Sequence, residues 1–302
     1  MNTRNRIIKF SNLFFIILIL FSTKIFAQEY EGLVALDGYK TKVYFSQRND
    51  ERANFIAVRM DNVLDFYNAI IDFEPAVTML ILNSVDWPKF TDFPVYGMAH
   101  YMGNKTLVIA SENNDFWGSF IPPLDQLPVE LADKIKSTYV DENGNLTMQP
   151  FFDLLAIHEL GHAYHFQAEL RMQRKWMGEL FCNILLHTYI AEKEPEQLPA
   201  LTIFPQMVIA GGKDGYKYTS LNDIEERYEE IGQRYPQNYG WFQCRWHSAA
   251  GDIYDTGGIE TFVKLWNAFS EQNDKLNDDE FASFLSEKVH QSVADVMLKW
   301  DD

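Results

Sequence analysis

His158, Glu159 and His162 form an H-E-x-x-H sequence inside a run that is apolar and helix-compatible, with Phe151, Phe152, Leu154, Leu155 and Ile157 ahead of it. On a helix, residues four apart are neighbours, with about 5–6 Å between their Cβ atoms. Two imidazoles at that spacing can converge on one ion through Zn–N bonds of about 2.0 Å. Glu159 sits one residue around the helix from His158, so it is turned away from the ligand pair but can reach a water on the same ion. That is the position of a general base. Chance would produce the same five-residue pattern in on the order of one chain per hundred of this length, mostly on polar or irregular sequence. Burying two histidines and a glutamate on an apolar helix face without a partner is costly, and a metal removes that cost.

A catalytic zinc site needs a third protein ligand and an open fourth position. Glu179 fits the vacancy, on a second apolar segment that includes Trp176, Leu180 and Phe181. A carboxylate among such neighbours is poorly explained as a solvated helix charge. Asn183, one turn later on the same face, is placed to accept a hydrogen bond from the ring nitrogen of a ligand histidine that faces away from the metal. His165 competes for the third ligand position. It lies seven residues after His158, a rise of roughly 10 Å on an unbroken helix, too far to share an ion. The reading is therefore one catalytic Zn2+ held by His158, His162 and Glu179, with His165 behind it.

The elements that must position these residues fall into two parts. Lys42 to Phe45, Val77 to Asn83 and Thr106 to Ser111 have strand character, and Met60 to Ile71 has helical spacing with Asp61 or Asn62 as its cap. After Pro150 the sequence turns helical. Segments are expected over Phe151 to Gln173, Arg174 to Ile190, Asn222 to Tyr235, Tyr239 to Tyr254, Gly258 to Phe269, Asp278 to Val289 and Ser292 to Trp300. Gly211-Gly212 and Gly257-Gly258 read as breaks. No internal repeat and no long low-complexity linker appears. The organisation expected is a signal peptide over residues 1–27, a strand-containing lobe over 28–149 and a helical lobe with the zinc site over 150–302, the two lobes forming one catalytic unit.

Composition limits what this unit can act on. The 302 residues include 26 Lys plus Arg against 43 Asp plus Glu, a formal charge of −17 that repels phosphate backbones and excludes nucleic acid as a natural partner. At the amino terminus, Arg4, Arg6 and Lys9 precede the apolar run Leu13 to Phe21, and Ala27 offers a cleavage point. That run is too short for a bilayer, which needs about 20 residues. Export to a periplasmic or extracellular space is expected, with no stable membrane insertion once the signal is removed. Cys182 and Cys244 are the only cysteines. They could form one bridge or remain two buried thiols, and neither belongs to a Cys-x-x-Cys pair that would point to zinc ligation.

His158, Glu159 and His162, with Glu179 on the following helix, resemble the gluzincin zinc metallopeptidases, the superfamily of thermolysin and aminopeptidase N. Asn183 stands where that family often has an aspartate. The resemblance implies an α+β fold: a mixed sheet whose edge strand lies beside the motif helix, then a mostly helical lobe. It also implies a peptide or protein substrate bound in extended form along that edge, and Tyr96 to His100 resembles the edge element. The chain lacks the glycine, methionine, glutamate and asparagine run by which aminopeptidases hold a free amine, so endo- and exopeptidase action both stay open. The resemblance further implies an oxyanion donor from the helical lobe, with His247, Tyr254, Tyr239 and Tyr235 as candidates. Two other functions remain compatible with the residues. One is a metal-binding interaction protein without turnover, and the other is a zinc hydrolase of a non-peptide amide or ester.

Overall fold

The structure, a computed structural model, describes residues 30–302 apart from 142. The signal peptide expected over residues 1–27 lies outside the described residues. The fold is α+β, with a five-stranded mixed sheet on the N-terminal side and a mostly helical C-terminal part.

The strands are β1 (Val34–Leu36), β2 (Lys42–Phe45), β3 (Thr78–Leu82), β4 (His100–Met102) and β5 (Thr106–Ala110). Their order is β1-β2-β3-β5-β4. The central β2, β3 and β5 run parallel, while β1 and β4 are antiparallel at the two edges. Thr106–Ala110 is buried at every position, as expected of a central strand covered on both faces. Parallel β2 and β3 need a crossover, supplied by α1 (Asp50–Ile71). This helix starts ten residues before its expected start at Met60. Ala53, Ile56 and Ala57 continue the buried stripe of Met60, Val63, Leu64 and Tyr67, and Asp61 instead accepts the backbone N–H of Lys40. The edge strand likewise falls at His100–Met102, at the far end of the Tyr96 to His100 segment expected to form it.

The helical part comprises α2 (Val129–Thr138), α3 (Gln149–Gln167), α4 (Lys175–Lys193), α5 (Leu198–Ala210), α6 (Leu221–Arg234), α7 (Pro236–Glu271), α8 (Asp278–Phe284) and α9 (Gln291–Leu298). Helix α3 carries the H-E-x-x-H residues. Pro150 in its first turn suits a position whose N–H has no intrahelical partner. It stops six residues short of Gln173, where Glu169 adopts a left-handed φ of 55° and the side chains of Arg171 and Gln173 bond the backbone of Asn273 and Asp274. One face of α3 meets β4 and β5, and another meets α4. Helix α4 is buried at every residue from Trp176 to Ile190, with both α3 and α7 packed against it.

Helices α2 and α5 were not expected. Helix α5 is apolar on nearly every side and contains Pro205, so it shows no amphipathic period. The two segments expected over Tyr239 to Tyr254 and Gly258 to Phe269 follow one another in α7 and are separated at the expected break, where Gly258 leaves the helical conformation (φ 59°, ψ −164°). Cys182 and Cys244 are both free and buried, so no bridge forms between them. Several polar ties hold the sheet side to the helices, two of them at the core. Arg52 of α1 forks onto Asp153 of α3 at 2.9 and 2.5 Å, and the Tyr67 hydroxyl donates to the Leu185 carbonyl of α4 at 2.5 Å.

Candidate metal centre

Three side chains from two helices converge. His158 and His162 lie one turn apart on α3, and Glu179 Oε2 on α4 is 3.2 Å from His158 Nε2 and 3.8 Å from His162 Nε2. In a tetrahedral zinc site with bonds of about 2.0–2.2 Å, two ligand atoms stand ~3.3 Å apart. These two separations lie on either side of that value, so Glu179 Oε2 stands within ligand range of either imidazole.

What surrounds the three side chains orients them. His158 Nδ1 is 3.1 Å from Asn183 Oδ1, while the Asn183 amide donates to the Glu179 carbonyl and to Gln243 Oε1. Both facing oxygens can only accept, so Nδ1–H donates to Asn183 and Nε2–H to Glu179, and a metal bound at Nε2 would displace the second proton while Asn183 keeps the first. Glu179 Oε2 accepts Gln243 Nε2–H at 2.7 Å, and its other oxygen accepts the Tyr228 hydroxyl. Gln243 also donates to the Tyr239 hydroxyl at 2.8 Å, which in turn lies 3.1 Å from Tyr228. On the far side of His162, Nδ1 is 3.0 Å from His165 Nε2 and 3.4 Å from Cys182 Sγ.

Close approach of α3 to α4 makes these contacts possible. Gly161, inside the motif, faces Cys182, and a Cβ there would lie 3.0 Å from the Cys182 Cα, Cβ and Sγ. His158, His162 and Cys182 present donor atoms all within 4.8 Å of one another, the one such trio among the described residues. Cys182 therefore stands closer to the site than its isolation in the sequence suggested. Its sulfur lies by the Nδ1 edge of His162, whereas Glu179 lies by the Nε2 edge.

Glu159 is held apart from the cluster. Its Oε2 accepts the backbone N–H of Tyr101, on the edge strand β4, at 2.9 Å. Without an ion, burial pushes its carboxyl up to about 7; the charge of His158 works against this and that of Glu179 with it. Glu179 is itself buried, but the two histidines and the Tyr228 hydroxyl hold it well below the usual carboxylate range. Burial lowers His162 to about 4 and His165 to about 3. Burial also opposes charge on His158, but its contacts with Glu179 outweigh that and leave it raised.

Of the four expected oxyanion donors, Tyr239 alone has its hydroxyl in this network. The Tyr254 hydroxyl donates to Glu192 at 2.9 Å, and that of Tyr235 accepts from Lys217 at 2.8 Å. His247 has its ring 6.2 Å from that of His158, with no hydrogen bond to the cluster. Tyr228, Gln243 and the Tyr101 backbone are site groups that sequence reasoning missed. Gln243 lies one helical turn after Tyr239, a spacing that could have suggested a shared face. Tyr228, in a strongly acidic surface helix, gave no such signal. Compared with known proteins, no family model matches the chain and no curated protein matches it.

Proposed function

We propose that the protein is a zinc-dependent metallopeptidase in which His158, His162 and Glu179 hold the ion and Glu159 is the general base. The observation that carries this reading is the reach of Glu179 from α4 to both imidazoles of α3, while Glu159 is kept out of the ligand set by the edge strand. A divalent ion in such a site polarises a carbonyl and lowers the pKa of water toward about 7.

The chain's own groups account for the rest of the hydrolysis. Glu159 takes a proton from the attacking water and returns it to the leaving nitrogen as the C–O bond forms and the C–N bond breaks. Strand β4 has one side paired with β5 and the other open, and the Tyr101 N–H points to the open side. An extended peptide that displaces Glu159 from the Tyr101 N–H can pair there, which favours a peptide or protein over a compact amide or ester. Tyr239 is the proposed donor to the developing oxyanion. The proposed place of action is periplasmic or extracellular, on the basic, apolar and small-residue order of residues 4–27. Among the described residues, no helix is long and apolar enough to cross a membrane.

The test is zinc analysis of the purified chain together with hydrolysis of a broad peptide pool. Glu159→Gln should keep its zinc and lose about 10²–10⁴-fold in rate. Undiminished cleavage by that variant removes Glu159 from the mechanism.

One observation favours a second reading, a metal site without turnover in which Cys182 replaces Glu179 as the third ligand. His158, His162 and Cys182 would then hold the ion by the Nδ1 edge of His162, away from Glu179. Cys182→Ser separates the two readings. A site built on Glu179 keeps its zinc affinity in that variant, whereas one built on Cys182 loses it steeply.

A further inference from the structure

We propose that Tyr101 and Phe166 form a specificity subsite, which takes a large apolar side chain, aromatic above all, from the substrate residue that pairs with β4. The subsite belongs to the peptidase reading above and rests on it; it decides what is selected beside the scissile bond.

Phe166 lies one turn after His162 on α3, with its ring centroid 6.1 Å from the imidazole and the two planes inclined by 28°. From the sheet side, the Tyr101 ring of β4 stands 6.3 Å from Phe166 at 13°. The buried His165 ring packs against Phe166 at 4.2 Å. Even so, Phe166 is 62% exposed, and it is the one exposed side chain of α3. An uncovered ring beside a proposed metal ligand is apolar surface for a bound molecule to cover. Gln167 holds the other wall. Its amide accepts the Ala76 N–H and donates to the Ala76 carbonyl, both at 3.0 Å, and donates to the Tyr101 hydroxyl at 3.2 Å. The Tyr101 ring is thereby fixed before substrate arrives, which reduces the ordering cost of binding.

Strand geometry decides which substrate residue meets these rings. Tyr101 lies opposite Leu107 of β5, and its N–H points to the open edge, where Glu159 Oε2 accepts it at 2.9 Å. Residues directly opposite in an antiparallel hydrogen-bonded pair exchange backbone bonds, and their side chains share one face of the sheet with Cβ atoms about 5 Å apart. The peptide residue that displaces Glu159 from the Tyr101 N–H therefore lays its side chain beside the Tyr101 ring, on the face that carries Phe166. Because Glu159 is the proposed general base, that residue sits next to the bond being cut. Two nearly parallel rings offer an aromatic guest offset-stacked and edge contacts, which are favourable at centroid distances of about 4.5–7 Å.

Hydrolysis of a random peptide library by the zinc-loaded chain, read by mass spectrometry, tests the proposal. Phe, Tyr, Trp, Leu and Met should be enriched at one position flanking the cut. For matched peptides with phenylalanine or alanine at that position, the ratio of kcat/KM values should fall about tenfold in Phe166→Ala and hold in Phe166→Trp. Phe55→Ala, which removes an exposed ring on α1 instead, should leave the ratio as it was. Cleavage without the enrichment, or with the ratio unchanged in Phe166→Ala, overturns the subsite and leaves the peptidase reading standing. No cleavage at all overturns the peptidase reading, and the subsite falls with it.

Discussion

Glu179 is buried at 5% exposure, yet both of its oxygens are engaged, by His158 and Gln243 on one and Tyr228 on the other. A carboxylate so held is ready to bind an ion, because its rotamer is chosen before the ion arrives. Tyr228→Phe removes one of those contacts without altering the ring. Loss of an outer partner typically costs 10–100-fold in metal affinity. We expect a weakening of about tenfold for this variant, measured by competition with a chelating dye. Asn183→Ala should cost as much or more, since it frees the His158 ring and removes the bridge to Gln243. Unchanged affinity in both variants would mean that Glu179 is not a ligand.

At the scale of elements, the site depends on how closely α3 and α4 approach. Gly161 sets that distance. Gly161→Ala brings a methyl group within 3.0 Å of the Cys182 backbone, and a helix cannot yield as a flexible side chain can. Overpacking of this kind costs about 1–3 kcal/mol. Thermal unfolding should register it, together with weaker zinc binding as the helices part. A second contact fixes α3 against the sheet side. Arg52 and Asp153 pair bidentately with side chains only 12% and 10% exposed, and Arg52 also donates to the Ala110 carbonyl at the end of β5. Arg52→Ala would leave Asp153 nearly buried and unpaired. Full burial makes such a loss cost roughly 3–5 kcal/mol, and residual solvent access reduces this to about 2–3 kcal/mol. Urea unfolding should show that loss without a change in the position of the H-E-x-x-H residues relative to one another.

For the molecule as a whole, the proposed ion between α3 and α4 would link the sheet-facing helix to the buried centre of the helical part. Binding to the folded state alone stabilises it by about 2.7 kcal/mol when free ligand is a hundredfold above its dissociation constant. Removing zinc with a chelator should therefore lower the unfolding temperature by several degrees, and zinc added back should restore it. The far-UV circular dichroism should change little, because the core extends well beyond the site: Tyr67, Trp117, Phe262 and Phe281 are all buried far along the chain from the motif. A chain that unfolds on chelation would instead place the ion among the main supports of the fold.

Local order determined much of this arrangement in advance. The two-part organisation, the strand segments and the pairing of His158 with His162 follow from periodicities of two and 3.6 residues, which act over a few neighbours. The approach of Glu179 to that pair was also anticipated, because α4 follows α3 after a short connection and its apolar residues leave it few other places to go. Tyr228, Gln243 and Tyr101 belong to the site through contacts that span 49, 64 and 58 residues. No local pattern encodes contacts at that range. The same limit explains the missed start of α1, where Asp61 resembles a cap until tertiary contact commits it to Lys40, and the missed α5, whose apolar faces have no period until neighbours cover them. Short-range sterics and burial preference are written residue by residue, whereas the meeting of distant side chains depends on how whole elements pack, and only the folded chain decides that.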